Sequence, residues 1–227
     1  MRIKNLIKGD MDFQFKYGFY FVYAIFTIFY ILLLLVLPKS IRKEVGTILI
    51  YTDPAAMGLF FMGAIVLLEK SQRVLNSIAV SPVKVSEYIQ TKVISLGIIA
   101  TLVGVIIATV CGIGNIILVM LGTFFGSVIF SMMGLCIASK INSLNQFMIA
   151  TLPFELICFI PAILYLFGLN KAYMLLHPGC VVIRLLQGTN GFEIVPFLLL
   201  CSWILMIYYI TVRIVRKMFQ SVGGVKL

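Results

Sequence analysis

Residues 93–139 read VISLGIIATLVGVIIATVCGIGNIILVMLGTFFGSVIFSMMGLCIAS, and none of these 47 residues carries a charge. Lys92 and Lys140 close the stretch at its two ends. At about 1.5 Å per residue a single helix of this length would be roughly 70 Å long. The hydrocarbon core of a bilayer is only about 30 Å thick. The stretch therefore predicts two membrane spans joined by a tight turn. Gly112-Ile113-Gly114-Asn115 is the one good turn signal within it, which divides it into spans at residues 93–111 and 116–138.

Reading outward, four further apolar runs of span length appear, at residues 17–37, 48–68, 147–167 and 194–212. The first is too long for a signal-peptide core and lacks a small-x-small cleavage site, so it is expected to stay as a span. The second contains Asp53-Pro54 near its start. That pair reads as a helix beginning, with Asp53 capping free N–H groups near the interface and Pro54 at the first helical position. The expected fold class is an all-α membrane protein of six transmembrane helices in a single domain, multi-pass in the cell (plasma) membrane.

Composition agrees. The chain is 62% apolar and only 11% charged, less than half of the roughly 25% usual for soluble domains. The basic excess of 18 Lys and Arg over 8 Asp and Glu lies between the apolar runs. It marks topology-setting loops beside anionic lipid, not a nucleic-acid surface. Thirteen of the 18 fall on the side of the N-terminal segment, the 69–92 loop, Lys140 and the C-terminal tail with Lys226. Lys39, Arg42, Lys43, Lys171 and Arg184 fall on the other. Both termini are therefore expected in the cytoplasm, with the Lys39–Lys43 cluster dissenting. Residues 1–16 place Ile3, Leu6 and Ile7 on one helical face, the pattern of an amphipathic helix in the membrane plane.

Ala100, Gly104, Ala108 and Gly112 recur at a spacing of four, as do Gly122, Gly126 and Gly134 around Phe130. Small residues four apart let helices approach closely, so spans three and four are expected to pack on each other. The five cysteines show no metal or redox spacing. No His-Glu-x-x-His, Gly-x-Ser-x-Gly or P-loop motif is present. The residues thus point to no enzyme, no metal and no cofactor in this chain. Glu155, after Pro153 in span five, reads as the only deep intramembrane charge. It is either a contact for a cationic substrate or a helix-packing group.

The loop 69–92 reads EKSQRVLNSIAVSPVKVSEYIQTK. Its first half is amphipathic, and Ser81-Pro82 ends the helical pattern. Here the chain resembles the permeases of type-2 ABC exporters. Those proteins close their second span with Glu-Lys/Arg, then a short helix, Ser-Pro or Thr-Pro, and a Tyr and a Lys entering the third span. Glu69-Lys70, Leu75, Ser81-Pro82, Tyr88 and Lys92 stand in that order. The chain departs from the family's Gly-Thr and Glu, carrying Arg73-Val74 and Asn76 instead. A second match precedes the last span: His177-Pro178-Gly179, Val181-Val182-Ile183, Arg184 and Gly188. Within the family the chain looks most like the small permeases of fluoroquinolone or peptide-antibiotic export.

The resemblance implies two permeases, a pair of copies or sister chains, around a path for a hydrophobic or amphipathic drug, antibiotic or peptide. ATP and Mg would be bound by a separate P-loop ATPase subunit. A coupling helix at about residues 70–80 would meet that ATPase, with Lys70 and Arg73 in polar contacts and Val74, Leu75 and Ile78 packed against it. Ser81 and Pro82 would close it, and Glu69 would tie it to the N-terminal segment. The path would be lined by Tyr23, Phe26, Phe60 and Glu155. Two other readings remain: an ion-coupled secondary transporter using Glu155, and a non-transporting immunity or scaffold protein.

Overall fold

A computed structural model of the chain describes residues 2–79, 81–169, 171–188 and 193–222. Val80, the far bound of the helix expected at about residues 70–80, and Lys226 lie outside the described residues. Ten α-helices follow in order among them. They are α1 (Arg2–Lys16), α2 (Phe19–Val36), α3 (Lys39–Ile50), α4 (Met57–Ser71) and α5 (Val74–Ala79). After these come α6 (Val85–Cys111), α7 (Ile116–Lys140), α8 (Leu144–Leu166), α9 (Pro178–Gln187) and α10 (Ile194–Val222). Among the described residues six segments are long and apolar enough to cross a membrane: α2, α3 running into α4, α6, α7, α8 and α10.

Local chemistry sets the boundaries. Gly18 turns the chain between α1 and α2 at φ 78°, a conformation cheap only for glycine. Pro38 precedes α3, and Arg42 folds back so that its Nη2 donates to the Leu37 carbonyl at 2.9 Å. That contact, beside another to Leu35, satisfies carbonyls left open at the end of α2. Arg42 of the dissenting basic cluster thus has a structural task. The turn predicted at residues 112–115 is present: Gly112 ends α6 at φ 69°, and the Asn115 side chain accepts from the Leu118 N–H at 3.2 Å.

The second span differs from the sequence reading. It is one rod from Lys39 to Ser71, 33 residues long, and Asp53-Pro54 lies inside it. Residues Tyr51–Ala55 form a π-helical turn containing Pro54. Proline lacks an N–H and its ring crowds the preceding turn, and the widened turn takes up that defect within the helix. Tyr51 anchors the turn by donating from its hydroxyl to the Cys158 carbonyl on α8 at 2.9 Å. Asp53 is therefore no interfacial cap. It is buried at 7% exposure and stands roughly 21 Å along the rod from Lys39 and roughly 24 Å from Glu69.

The hub of the bundle is α7, which touches α4, α6, α9 and α10. The small-residue stripes also divide differently than predicted. Gly104 does face α7, since a side chain there would strike Thr123. The glycines of α7, however, do not face α6. A Cβ at Gly134 would collide with the carbonyl of Leu59 and come within 2.9 Å of its Cα, so α4 lies against α7 backbone to backbone. Gly58 answers from α4, close to the hydroxyls of Ser127 and Ser131. Gly122 and Gly126 receive α9 through Leu185, Leu186 and Val182. Gly112 meets no neighbour and serves the turn alone. The connection before the last span is thus more than a loop: α9 starts at Pro178, ends at Gly188 with φ 60°, and buries Cys180 to Ile183 in the bundle.

Candidate functional site

At the end of the bundle where α4 leaves the membrane segment, three helices meet around a buried ion pair. Glu69 occupies the last turns of α4 and is 4% exposed, while Lys92 of α6 is 2% exposed. Lys92 Nζ lies 2.6 Å from Glu69 Oε1 and 3.0 Å from Asp10 Oδ1 of α1. The Tyr88 hydroxyl donates to Glu69 Oε2 at 2.7 Å, and Lys92 sits 4.9 Å above the centre of the Tyr88 ring. One layer deeper, Gln14 Nε2 donates to Ser95 Oγ at 2.7 Å. The spacing explains the convergence. Tyr88, Lys92 and Ser95 stand at i, i+4 and i+7 on α6, and Asp10 and Gln14 at i and i+4 on α1, so each set shares one face.

Buried ions persist only when paired and hydrogen-bonded. Here both Glu69 oxygens are engaged, and Lys92 has two carboxylates. The network ties α1, α4 and α6 into one body at this end. Beside it, Lys70 Nζ donates to the carbonyls of Ala138, Ser139 and Ile141 at 2.7, 3.0 and 2.8 Å. A cation there satisfies the open carbonyls and favours the negative end of α7.

These contacts correct the helix predicted at residues 70–80. Lys70 belongs to the last turn of α4 and is occupied by α7. The chain then turns at Gln72-Arg73, where Arg73 takes φ 57°. Only Val74–Ala79 forms the separate helix α5. Leu75 is fully buried in the chain's own core, and α5 packs on α4 and α10. Val74 and Ile78 are half-buried, while Arg73, Asn76 and Ser77 are exposed. Ser81 closes the segment by donating to the Ile78 carbonyl at 2.7 Å and accepting from the Val83 N–H, with Pro82 exposed beside it.

The four residues expected along a path do not converge. Tyr23 is turned into the core at 1% exposure, edge-on to Phe61 at 4.7 Å between ring centres. Phe26 faces outward from α2, Phe60 is half-buried on α4, and Glu155 is half-buried on α8. None of the four lines the apolar cleft of about 700 Å³ that opens between α8 and α10 over α7. Among the described residues no group of three His, Cys, Asp or Glu side chains is placed to hold a metal ion.

Asp10 was not singled out in the sequence, Tyr88 and Lys92 entered only through the resemblance, and Asp53 only as a helix cap. The signal for the first three was the i, i+4 pairing of polar residues within apolar helices. Asp53 was visible but its depth was not. It interacts with the Tyr30 hydroxyl, while Asp53 Oδ2 and the Tyr23 hydroxyl have no hydrogen-bond partner.

Comparison with known proteins adds a family. The model of the fluoroquinolones export permease protein family matches residues 1–221. Two fluoroquinolones export permease proteins of Mycobacterium tuberculosis, from strains CDC 1551 / Oshkosh and ATCC 25618 / H37Rv, are each 24% identical to the chain over 167 residues. Each alignment covers 72% of this chain and 70% of the relative.

Proposed function

The chain belongs to the fluoroquinolones export permease protein family, and from that premise we propose that it is the membrane half of an ATP-driven exporter. As an exporter's permease subunit it is a multi-pass protein of the cell membrane. ATP and Mg are bound by a separate P-loop ATPase subunit. Two permeases, identical or sister chains, pair around the path of a hydrophobic or amphipathic drug, antibiotic or peptide. Both termini, the Glu69–Lys92 network and α5 face the cytoplasm, on the side richer in Lys and Arg.

The observation that carries this reading is the buried Asp10–Lys92–Glu69–Tyr88 network at the root of α5. A short helix can transmit force only if its base is stiff. Here the base is tied to α1 and α6, and α5 itself packs on α10. A push on the exposed Arg73, Asn76 and Ser77 therefore moves several spans together. Glu69 and Lys70 act inside the chain as struts, Leu75 holds α5 down, and Arg73 with the exposed edges of Val74 and Ile78 meets the ATPase.

Arg73→Glu reverses an exposed charge at this surface. The variant is expected to fold and reach the membrane but to lose co-purification with the ATPase, or to hydrolyse ATP without transport. Normal association and normal transport in Arg73→Glu together with Ile78→Asp would remove α5 from the coupling role.

Asp53 favours a second reading, in which an ion gradient drives transport through this carboxylate instead of Glu155. It predicts that Asp53→Asn abolishes transport and that a protonophore does the same.

A further inference from the structure

The apolar cleft between α8 and α10 runs into a basic pocket, and we infer that together they form a binding site for an anionic phospholipid of the cytoplasmic leaflet. The cleft has a volume of about 700 Å³ and is walled by Ala150 and Ile157 of α8 and by Trp203, Ile207 and Ile210 of α10. At one end it reaches Lys140 and Ile214, and the same two residues line a second cavity of about 600 Å³ with Arg213, Arg216 and Lys217. Among the described residues no carboxylate lines either space. All four basic residues are exposed. Arg213 lies over the Tyr209 ring, 4.4 Å from its centre, and donates to the Tyr209 hydroxyl, which fixes its place at the rim.

Length selects the occupant. From Trp203 to Ile214 along α10 is roughly 16 Å, close to the depth of one leaflet of a bilayer whose hydrocarbon core is about 30 Å. An acyl chain entering from the side fills such a slot, and its phosphate arrives where the four cations stand. Basic pockets between membrane helices at the cytoplasmic face recognise acidic headgroups in this way. A neutral lipid would leave the cations without an anion, and a free phosphate would leave the cleft unfilled. Such a lipid site is independent of how transport is powered. The orientation of the chain sets only the leaflet that the lipid comes from.

Native mass spectrometry of the full chain in detergent tests the site, using palmitoyl-oleoyl phosphatidylglycerol, the matching phosphatidylcholine, and glycerol phosphate as the headgroup alone. The wild type is expected to retain phosphatidylglycerol over phosphatidylcholine by roughly tenfold or more, and to bind no glycerol phosphate at the same concentration. Replacing Lys140, Arg213, Arg216 and Lys217 by Gln removes that preference, at roughly fivefold per charge. Ala150→Trp fills the cleft and lowers retention of both lipids, and Ile210→Trp on the opposite wall repeats the test should the first not fold. Equal retention of the two lipids by the wild type would overturn the inference. So would a preference that survives loss of the four cations, or glycerol phosphate binding as tightly as the lipid.

Discussion

Glu69→Gln keeps the shape of a side chain on which two donors converge and removes its charge. Lys92 would then stay buried with Asp10 alone, and breaking one side of a buried pair costs about 3–5 kcal/mol. Thermal unfolding in detergent should show a loss near that size. The double variant Glu69→Gln/Lys92→Met should lose less than the sum of its parts, because the second change removes the stranded ion. Additive losses would mean that the two side chains do not act as a pair. His177 offers a pH test outside the spans. Burial holds its imidazole below the ordinary value of 6.5, against a hydrogen bond to the Ile157 backbone that pulls the other way. The fold thus favours the neutral ring, so its contribution is intact above pH 6.5 and fades as pH falls below that value. Melting of the wild type should drop between pH 6.5 and 5 more than that of His177→Gln; parallel curves would contradict this.

At the scale of elements, the contacts of α7 decide which glycines matter. Gly134→Ala drives a methyl group into the backbone of α4 and should cost about 1–3 kcal/mol, as overpacking does. Gly122→Ala meets only side-chain atoms of Leu185 and Leu186 at 3.0 to 3.3 Å and should cost less. Melting temperatures of the two variants check the order. The stripes were legible in the sequence as close approach, because small residues at a spacing of four can mean little else. Their partners were not legible, since a glycine records that something comes near and not which helix it is. Asp53-Pro54 was misread for a similar reason. Asp before Pro has the same local pattern at a helix start and in a π-helical turn, and only the tertiary anchor at Tyr51 distinguishes them. Glu69 and Lys92 could be ranked by resemblance, but Asp10 required knowing that α1 folds against α6.

For the whole molecule, the uncharged stretch at residues 93–139 was sufficient to establish a membrane bundle, because chain length against bilayer thickness admits no other solution. The basic residues add the orientation, which accessibility labelling can check. A cysteine placed at Ser77 should react with an impermeant thiol reagent only in opened cells, and one at Lys171 in intact cells. The reverse pattern would invert the molecule and remove α5 from the cytoplasm. The central claim, that a separate ATPase drives export through α5, meets its most direct test in inside-out membrane vesicles from cells producing the exporter. Uptake of a fluorescent amphipathic drug into such vesicles should require ATP, persist when a protonophore collapses the gradient, and vanish in Arg73→Glu. Uptake that needs the gradient, ignores ATP and survives Arg73→Glu would contradict the account.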